Sequence, residues 1–365
     1  MATLTEVSYY TRRGIKWGAI GLVVVLLTPV VWGAVKRVYL KLRPPPPPPP
    51  TVAYGTLPGL HFPEAPEAYQ PVLRLETIDG KLPKVTTVGK VYVVNVNKSR
   101  LLELERVKTK VRSLGFSNEP EAVDEQTYKF VHPAIPATLT VNVIYGAYRF
   151  SYDWTLDQAL YSAQAVPNND QAFLEAKSWF QTLGILGSDL ASGQPKFGYF
   201  AAQPPEMVPT VSLSEANFIR VDLFRSNRDD LPWVTTGGSH SPVNVIFSGV
   251  ADRTKRVVQA DFAYSQILEG NFATYPLKSV DQAWNELQQG KGYVAHTAGA
   301  QVVIRQVSLA YYESDQPQEF VQPVFVFEGD GGYVAYVAAI DPKYLQSGQS
   351  GQPDSPSASS SIPSQ

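Results

Sequence analysis

The sequence predicts an α+β fold in which antiparallel sheets and short helices form tandem β-α-β-β-β-like units behind a single N-terminal transmembrane helix. Three observations predict it. Trp17 to Val35 is a run of 19 residues without a charge, bounded by Lys16 and by Lys36-Arg37. Apolar and polar residues then alternate with period two in several segments, interrupted by a few stretches with helical spacing. The composition, with 20 Tyr, 16 Phe, 30 Pro and only 18% charged residues, favours strands and turns over helix bundles.

The chain opens with a tail over residues 1–14 and a transmembrane helix over 15–38. At 1.5 Å per residue the uncharged run covers roughly 28 Å, close to one hydrocarbon thickness. Trp17, Trp32 and Tyr39 stand near its ends, where amphipathic rings prefer the headgroup layer. Trp32-Gly33-Ala34 is a poor cleavage site, because a bulky indole occupies the place of a small residue. Basic residues flank the run on both sides, so charge does not fix orientation. The size of the C-terminal region and the absence of cysteine favour the N-terminus inside and the C-terminus outside.

Residues 39–82 read as a proline-rich linker and extended lead-in. The seven prolines Pro44 to Pro50 adopt polyproline II, a stiff rod of about 22 Å that spaces the remainder from the bilayer. A first α+β domain is expected over 83–166. It has a strand at 88–96, a helix with Leu101, Leu104, Val107, Val111 and Leu114 on one face, a Gly115 stop, and strands at 127–131, 139–143 and 148–152. A second spans 167–344, with a further division near 266. It carries a helix from Asp170 to Leu183, strands at 219–223 and 243–247, a helix opened by the Ser279-x-x-Gln282 capping box and stopped by Gly290, and a closing hairpin around Glu328-Gly-Asp-Gly-Gly332. Thr155-Leu-Asp-Gln-Ala-Leu160 shares the order of residue types of Ser279-Val-Asp-Gln-Ala-Trp284, either as a repeat or as a common helix start. Residues 345–365, rich in Ser, Pro and Gln, lack the apolar content to pack and read as a disordered tail.

Ser279-VDQAWNELQQG-Lys291, VSLAYY (Val307 to Tyr312), QPVFVFEGD (Gln322 to Asp330) and YVAYVAAID (Tyr333 to Asp341) resemble the ending of YycH/YycI-type proteins and their PepSY-like relatives. The resemblance lies mainly in residues 279–341. It implies an N-terminally anchored extracytoplasmic bacterial protein that contacts a partner in the membrane or wall, such as a sensor kinase. The polyproline rod and the serine-rich tail depart from that pattern.

Function classes narrow from composition. A net charge of −2 with no long basic stretch beyond the helix flanks gives nucleic acid no electrostatic footing. Zero cysteines exclude disulfides, thiolate zinc sites and thiol catalysis. His61, His132, His240 and His296 fall at no metal-ligand spacing, and no metal or other cofactor is expected. Ser239-His240-Ser241 lacks a nucleophile elbow and reads as a turn, as does Glu328-Gly-Asp-Gly-Gly332, while Gly290-Lys291-Gly292 reads as a helix cap. No catalytic residue is nominated. Asp229-Asp230, Asp252 and Asp261 are scattered acids that would serve a hydrolase only if the fold brought them together. Tyr311, Tyr312 and Trp233 are the candidate binding residues, on the reading that surplus aromatic side chains form a contact surface; the alternative is that they fill the core. The functional expectation is a non-enzymatic, membrane-anchored extracytoplasmic module that binds and regulates another envelope protein. A wall-polymer hydrolase and a structural subunit of an envelope assembly are the alternatives.

Overall fold

The computed structural model describes residues 49–63, 69–97, 100–162 and 166–346, with scattered positions between 17 and 37. The chain divides into two compact units, Met1–Pro49 and Pro50–Gln365. In the first, the described positions from Trp17 to Arg37 are helical. Among the described residues no helix is long and apolar enough to cross a membrane. Much of the expected 15–38 span, the prolines 44–48 and the tail from 347 onward lie outside the described residues.

The second unit is mixed α+β, mostly sheet with a few short helices. It holds two sheets whose strands interleave along the chain. Strands β1 (Val72–Leu75) and β2 (Val88–Val94) come first, followed by helix α1 (Arg100–Val111). A 3-10 turn extends α1 to Leu114, and Gly115 at φ +88° ends it, where a Cβ would collide with the His132 ring. Next are β3 (Glu121–Ala122), β4 (Thr127–Val131), β5 (Ala137–Asn142), β6 (Ala147–Tyr152), the short α2 (Gln158–Ser162), α3 (Asn169–Thr182) and α4 (Ser188–Ser192). They continue into β7 (Pro195–Gln203), β8 (Glu206–Thr210), β9 (Phe218–Leu223), β10 (Trp233–Thr235), β11 (Val243–Ser248), α5 (Arg253–Arg256) and β12 (Val257–Phe262). The remainder is β13 (Ile267–Pro276), α6 (Val280–Gln288), β14 (Tyr293–His296), β15 (Gln301–Glu313), β16 (Phe320–Gly329) and β17 (Val334–Ala338).

The nine-stranded sheet runs β3-β4-β5-β6-β12-β11-β9-β7-β8, antiparallel throughout. Period-two alternation puts Leu139 and Val141 of β5 and Tyr148 and Phe150 of β6 on the core face. Helices α1 and α3 cover that face with Val107 and Val111, and with Ala172, Ala176 and Phe180. Helix α3 starts one residue earlier than the sequence suggests. Asn168 caps it, accepting from the Gln171 amide at 2.9 Å while Gln171 reaches back to the Asn168 amide.

The eight-stranded sheet follows β1-β15-β16-β17-β14, with β10 also on β15, and β2 joining β16 to β13. Two of its pairings are parallel, β1 with β15 and β10 with β15. Helix α6, closed at its start by the Ser279–Gln282 capping box, lays Val280, Ala283 and Leu287 on one face against Phe325, Phe327 and Ala335. The other face is covered as well: Leu60 and Phe62 pack on Tyr312, Val324, Val326 and Tyr336. Burial on both faces explains why β16 reads as a continuous apolar run from Pro323 to Phe327 rather than as an alternation.

Residues 51–62, read from sequence as lead-in, are extended but built into the fold. Leu57 is fully buried and forms a parallel bridge with Leu345, so the segments around residues 57 and 345 lie side by side. The Thr155 motif also parts company with the Ser279 one. Thr155 sits inside a 3-10 turn with its hydroxyl on Asp153, and α2 starts only at Gln158, so the two hexapeptides do not share a cap.

Candidate functional site

Tyr311, Tyr312 and Trp233, expected to offer a contact surface, are 1%, 0% and 8% exposed. That expectation is corrected. Tyr311 and Tyr312 lie on β15, where β10 pairs along the edge with Trp233 opposite Tyr311, and the two tyrosines point to opposite faces that are each covered by a separate cluster. Tyr312 meets the Phe62 ring edge-on at 4.9 Å, and Tyr311 packs with Tyr92 and Trp233. Burial pushes the Tyr312 hydroxyl up to about 12 and raises Tyr311 further, so both stay protonated donors.

The scattered acids go to separate places. Asp229 accepts from Lys90 Nζ, Tyr92 Oη and Tyr311 Oη, the last at 3.0 Å. Burial works against its charge, but these donors outweigh it and hold the carboxyl below the usual aspartate range. Asp229 and Asp230 occupy left-handed backbone at φ +50° and +62°, the two central positions of a tight turn closed by Arg228 and Leu231. Asp252 caps α5, and Asp261 pairs with the exposed Arg149 at 2.9 Å. The histidines are equally dispersed. His132 Nδ1 accepts from the Ala134 and Ile135 amides, and burial lowers its pKa. His240 lies on a turn, 3.7 Å from Asp222, and Ser241 beside it is buried with its hydroxyl donated to the Leu223 carbonyl. Glu328 to Gly332 forms a hairpin turn, with Gly331 and Gly332 at positive φ and Asp330 paired to Arg305. Among the described residues no group of three or more metal-ligating side chains forms.

What the fold assembles instead lies where the two sheets meet. Arg225 follows β9, and its side chain is 1% exposed. Its Nε donates to Asp189 Oδ2 at 2.6 Å, and its Nη1 to Glu313 Oε1 at 2.9 Å and to the Ser265 carbonyl at 3.0 Å. The guanidinium lies 3.6 Å from the Trp233 ring centre and 4.5 Å from that of Tyr264. Tyr264 donates to the other Asp189 oxygen at 2.7 Å, and the Ser265 amide to Glu313 at 3.0 Å. Burial raises the Glu313 carboxyl, and the Arg225 charge opposes that rise. Burial alone would lower Arg225, but Glu313, Tyr264 and Asp189 together hold it above its ordinary value. Arg225 thereby ties α4 and the strand ends of the nine-stranded sheet to β15 and β10 of the other.

Two adjoining cavities open beside this network, of about 260 and 430 Å³, and they share Gly187, Tyr264 and Gln266 as walls. Glu103, Arg106, Val107 and Lys110 line the smaller cavity from α1, a stripe at spacings of three and four. Asn95 and Asn97 beyond β2 and Gln266 before β13 complete that cavity's polar rim, while Asp189, Ser192 and Ser226 line the larger one. Together they make a polar cleft that reaches the buried ion cluster through Asp189 and Tyr264.

Neither Arg225 nor the cleft stands out in the sequence, yet a signal for the former exists. Ile219, Val221 and Leu223 point one way along β9, and Arg225 continues their period, just as Glu313 continues that of Leu309 and Tyr311. A charge at the next core-facing position marks a buried pair. The cleft leaves no such mark, because its walls come from five stretches far apart in sequence, at 95–110, 143–148, 184–192, 226–228 and 262–267.

No protein-family model matches the chain, and no curated protein matches it. Solved structures that resemble it include an uncharacterized protein from Eubacterium rectale, at 13% identity and a TM-score of 0.37, over 70% of this chain and 84% of that one. A likeness of that strength carries no argument about function.

Proposed function

We propose that this chain is a membrane-anchored, extracytoplasmic binding and regulatory module that contacts another envelope protein without catalysis, with the cleft at the sheet junction as the contact site. Residues 15–38 supply the anchor, and the YycH/YycI-type resemblance suggests a sensor kinase as the class of partner. On the same reading, each helix followed by an antiparallel meander (α1 with β4–β6, α6 with β15–β17 and β14 added beside β17) is a PepSY-like unit.

The observation that carries the reading is the contrast between an open polar cleft and carboxylates that are already occupied. General acid–base chemistry needs a group poised near the working pH. Asp229 is held ionised by Lys90, Tyr92 and Tyr311, and Asp189 is engaged by Arg225 and Tyr264. Asp229, Asp252 and Asp261, the acids a wall-polymer hydrolase would need in one place, sit in three separate clusters. A polar cleft with satisfied acids suits recognition.

In-cell crosslinking of the tagged full-length chain, against a control carrying the anchor and proline rod alone, tests this. Enrichment of one envelope or membrane protein over the control is the expected result. Capture of cytoplasmic proteins alone would overturn both the orientation and the proposed role.

A further inference from the structure

We infer that the cleft receives an extended, acidic peptide segment of the partner, an inference that rests on the binding role proposed above and gives that partner's contact a chemistry. The charge balance points to acid. Both lining carboxylates are already paired, Glu103 with Arg106 one helical turn away and Asp189 with Arg225. Lys110, on the same stripe of α1, has no carboxylate partner among the described residues, so its ammonium is the charge left for a ligand. A carboxylate arriving beside Lys110 also meets the Arg106 guanidinium along the same helix face.

The opposite rim favours a main chain. Asn95 Nδ2 donates to Gln266 Oε1 at 3.4 Å, and Asn97 Nδ2 to the Val143 carbonyl at 3.0 Å. Asn95 therefore keeps its oxygen, and Gln266 its nitrogen, for an incoming group. One acceptor and one donor side by side match the donor and acceptor of a peptide unit. A glycan would instead seek open aromatic faces on which to stack, and of the four lining rings three, Tyr148, Phe262 and Tyr264, are committed, which leaves only the half-buried Tyr145. Tyr148 is 6% exposed and packs edge-on against Phe262, and Tyr264 is stacked on Arg225 with its hydroxyl on Asp189. The elongated run of two adjoining cavities suits an extended segment, with its acidic end at Lys110 and its other end toward Asp189, Ser192 and Ser226.

Panning a random octapeptide library against the full-length chain in detergent tests the inference. The expected outcome is enrichment of Asp- and Glu-containing peptides whose affinity, read by fluorescence anisotropy, falls at least about five-fold in Lys110→Glu and again at high salt. Lys343→Glu, outside the cleft, should leave that affinity unchanged. Enrichment without acidic residues, no enrichment, indifference to Lys110→Glu, or displacement of bound peptide by a chitin-type oligosaccharide would each overturn it. Crosslinking of the Lys110→Glu chain keeps the two ideas apart. If library peptides fail while an envelope partner is still captured, only the acidic-peptide inference falls; if no partner is captured by the unaltered chain, the binding role falls with it.

Discussion

The two sheets of the folded unit bury similar kinds of residues by different routes. In the nine-stranded sheet most neighbours in space are neighbours in sequence: β4, β5 and β6 form a meander, β7 and β8 a hairpin, and one continuous core lies under α1 and α3. The eight-stranded sheet is gathered from afar. Its β1 comes from residues 72–75, its β2 from 88–94, and five further strands from 267 onward, with Trp233–Thr235 inserted as β10. Its core divides into four smaller clusters, two of them closed by the segment 57–62, one through Leu57 and the other through Leu60 and Phe62. The lesson is that the first sheet is stabilised by local register and the second by long-range closure, so the second depends on a few contacts that no strand pattern announces.

Arg225 is the strongest test of that difference, because it belongs to the first sheet and its partners Glu313 and Trp233 to the second. Arg225→Ala leaves Glu313 buried without its counter-charge and should cost about 3–5 kcal/mol, read by urea denaturation. Replacing the pair together, Arg225→Met with Glu313→Leu, should recover most of that loss. If the single variant costs little, the sheets are not joined through this cluster.

Leu57→Ala comes next. A fully buried leucine on the closing segment should cost about 2–5 kcal/mol, with faster amide exchange in β2 and β13. A loss under about 0.5 kcal/mol would make residues 51–62 a passive tether.

The two helix caps offer a matched pair. Asn168→Ala under the first sheet and Ser279→Ala under the second each remove a complete capping box, and each should cost about 1 kcal/mol. Unequal losses would show that the sheets differ in how much they support their helices.

Acid should act on Asp229. Its folded pKa lies below the unfolded one, so its contribution is present above the unfolded value, at neutral pH, and is lost as pH falls through the folded value, below about pH 4. Asp229→Asn should flatten that part of the stability–pH curve, and an unchanged acid limb would show that Asp229 contributes nothing to it. Least of all, Arg149→Ala breaks an ion pair whose arginine side chain is 77% exposed, and should change stability by no more than about 0.5 kcal/mol.

Much of the first sheet is legible in the residue pattern. Thr127–Val131 matches β4 residue for residue, and the strands near 139, 148, 219 and 243 and the helices near 101 and 170 fall within a few residues of their observed bounds. Gly115 and Gly290 at helix ends, and the turn at 328–332, follow from the left-handed backbone that such stops require. Strands β7, β8 and β13 leave a weaker pattern, because proline or glycine breaks their alternation, whereas β12 alternates, with Val258, Ala260 and Phe262 buried against Gln259 and Asp261, and is legible by the same rule.

By itself, then, the sequence determined the local grammar: which segments alternate, where helices start and stop, and that no thiol chemistry exists. Only the tertiary structure decided that Tyr311, Tyr312 and Trp233 are interior, that Asp229, Asp252 and Asp261 stay apart, and that Lys110, Asn95 and Gln266 face one cleft. The physical reason is range. Period and capping are set by forces that reach a few residues along the chain, whereas burial and site assembly depend on which distant strand closes over each face.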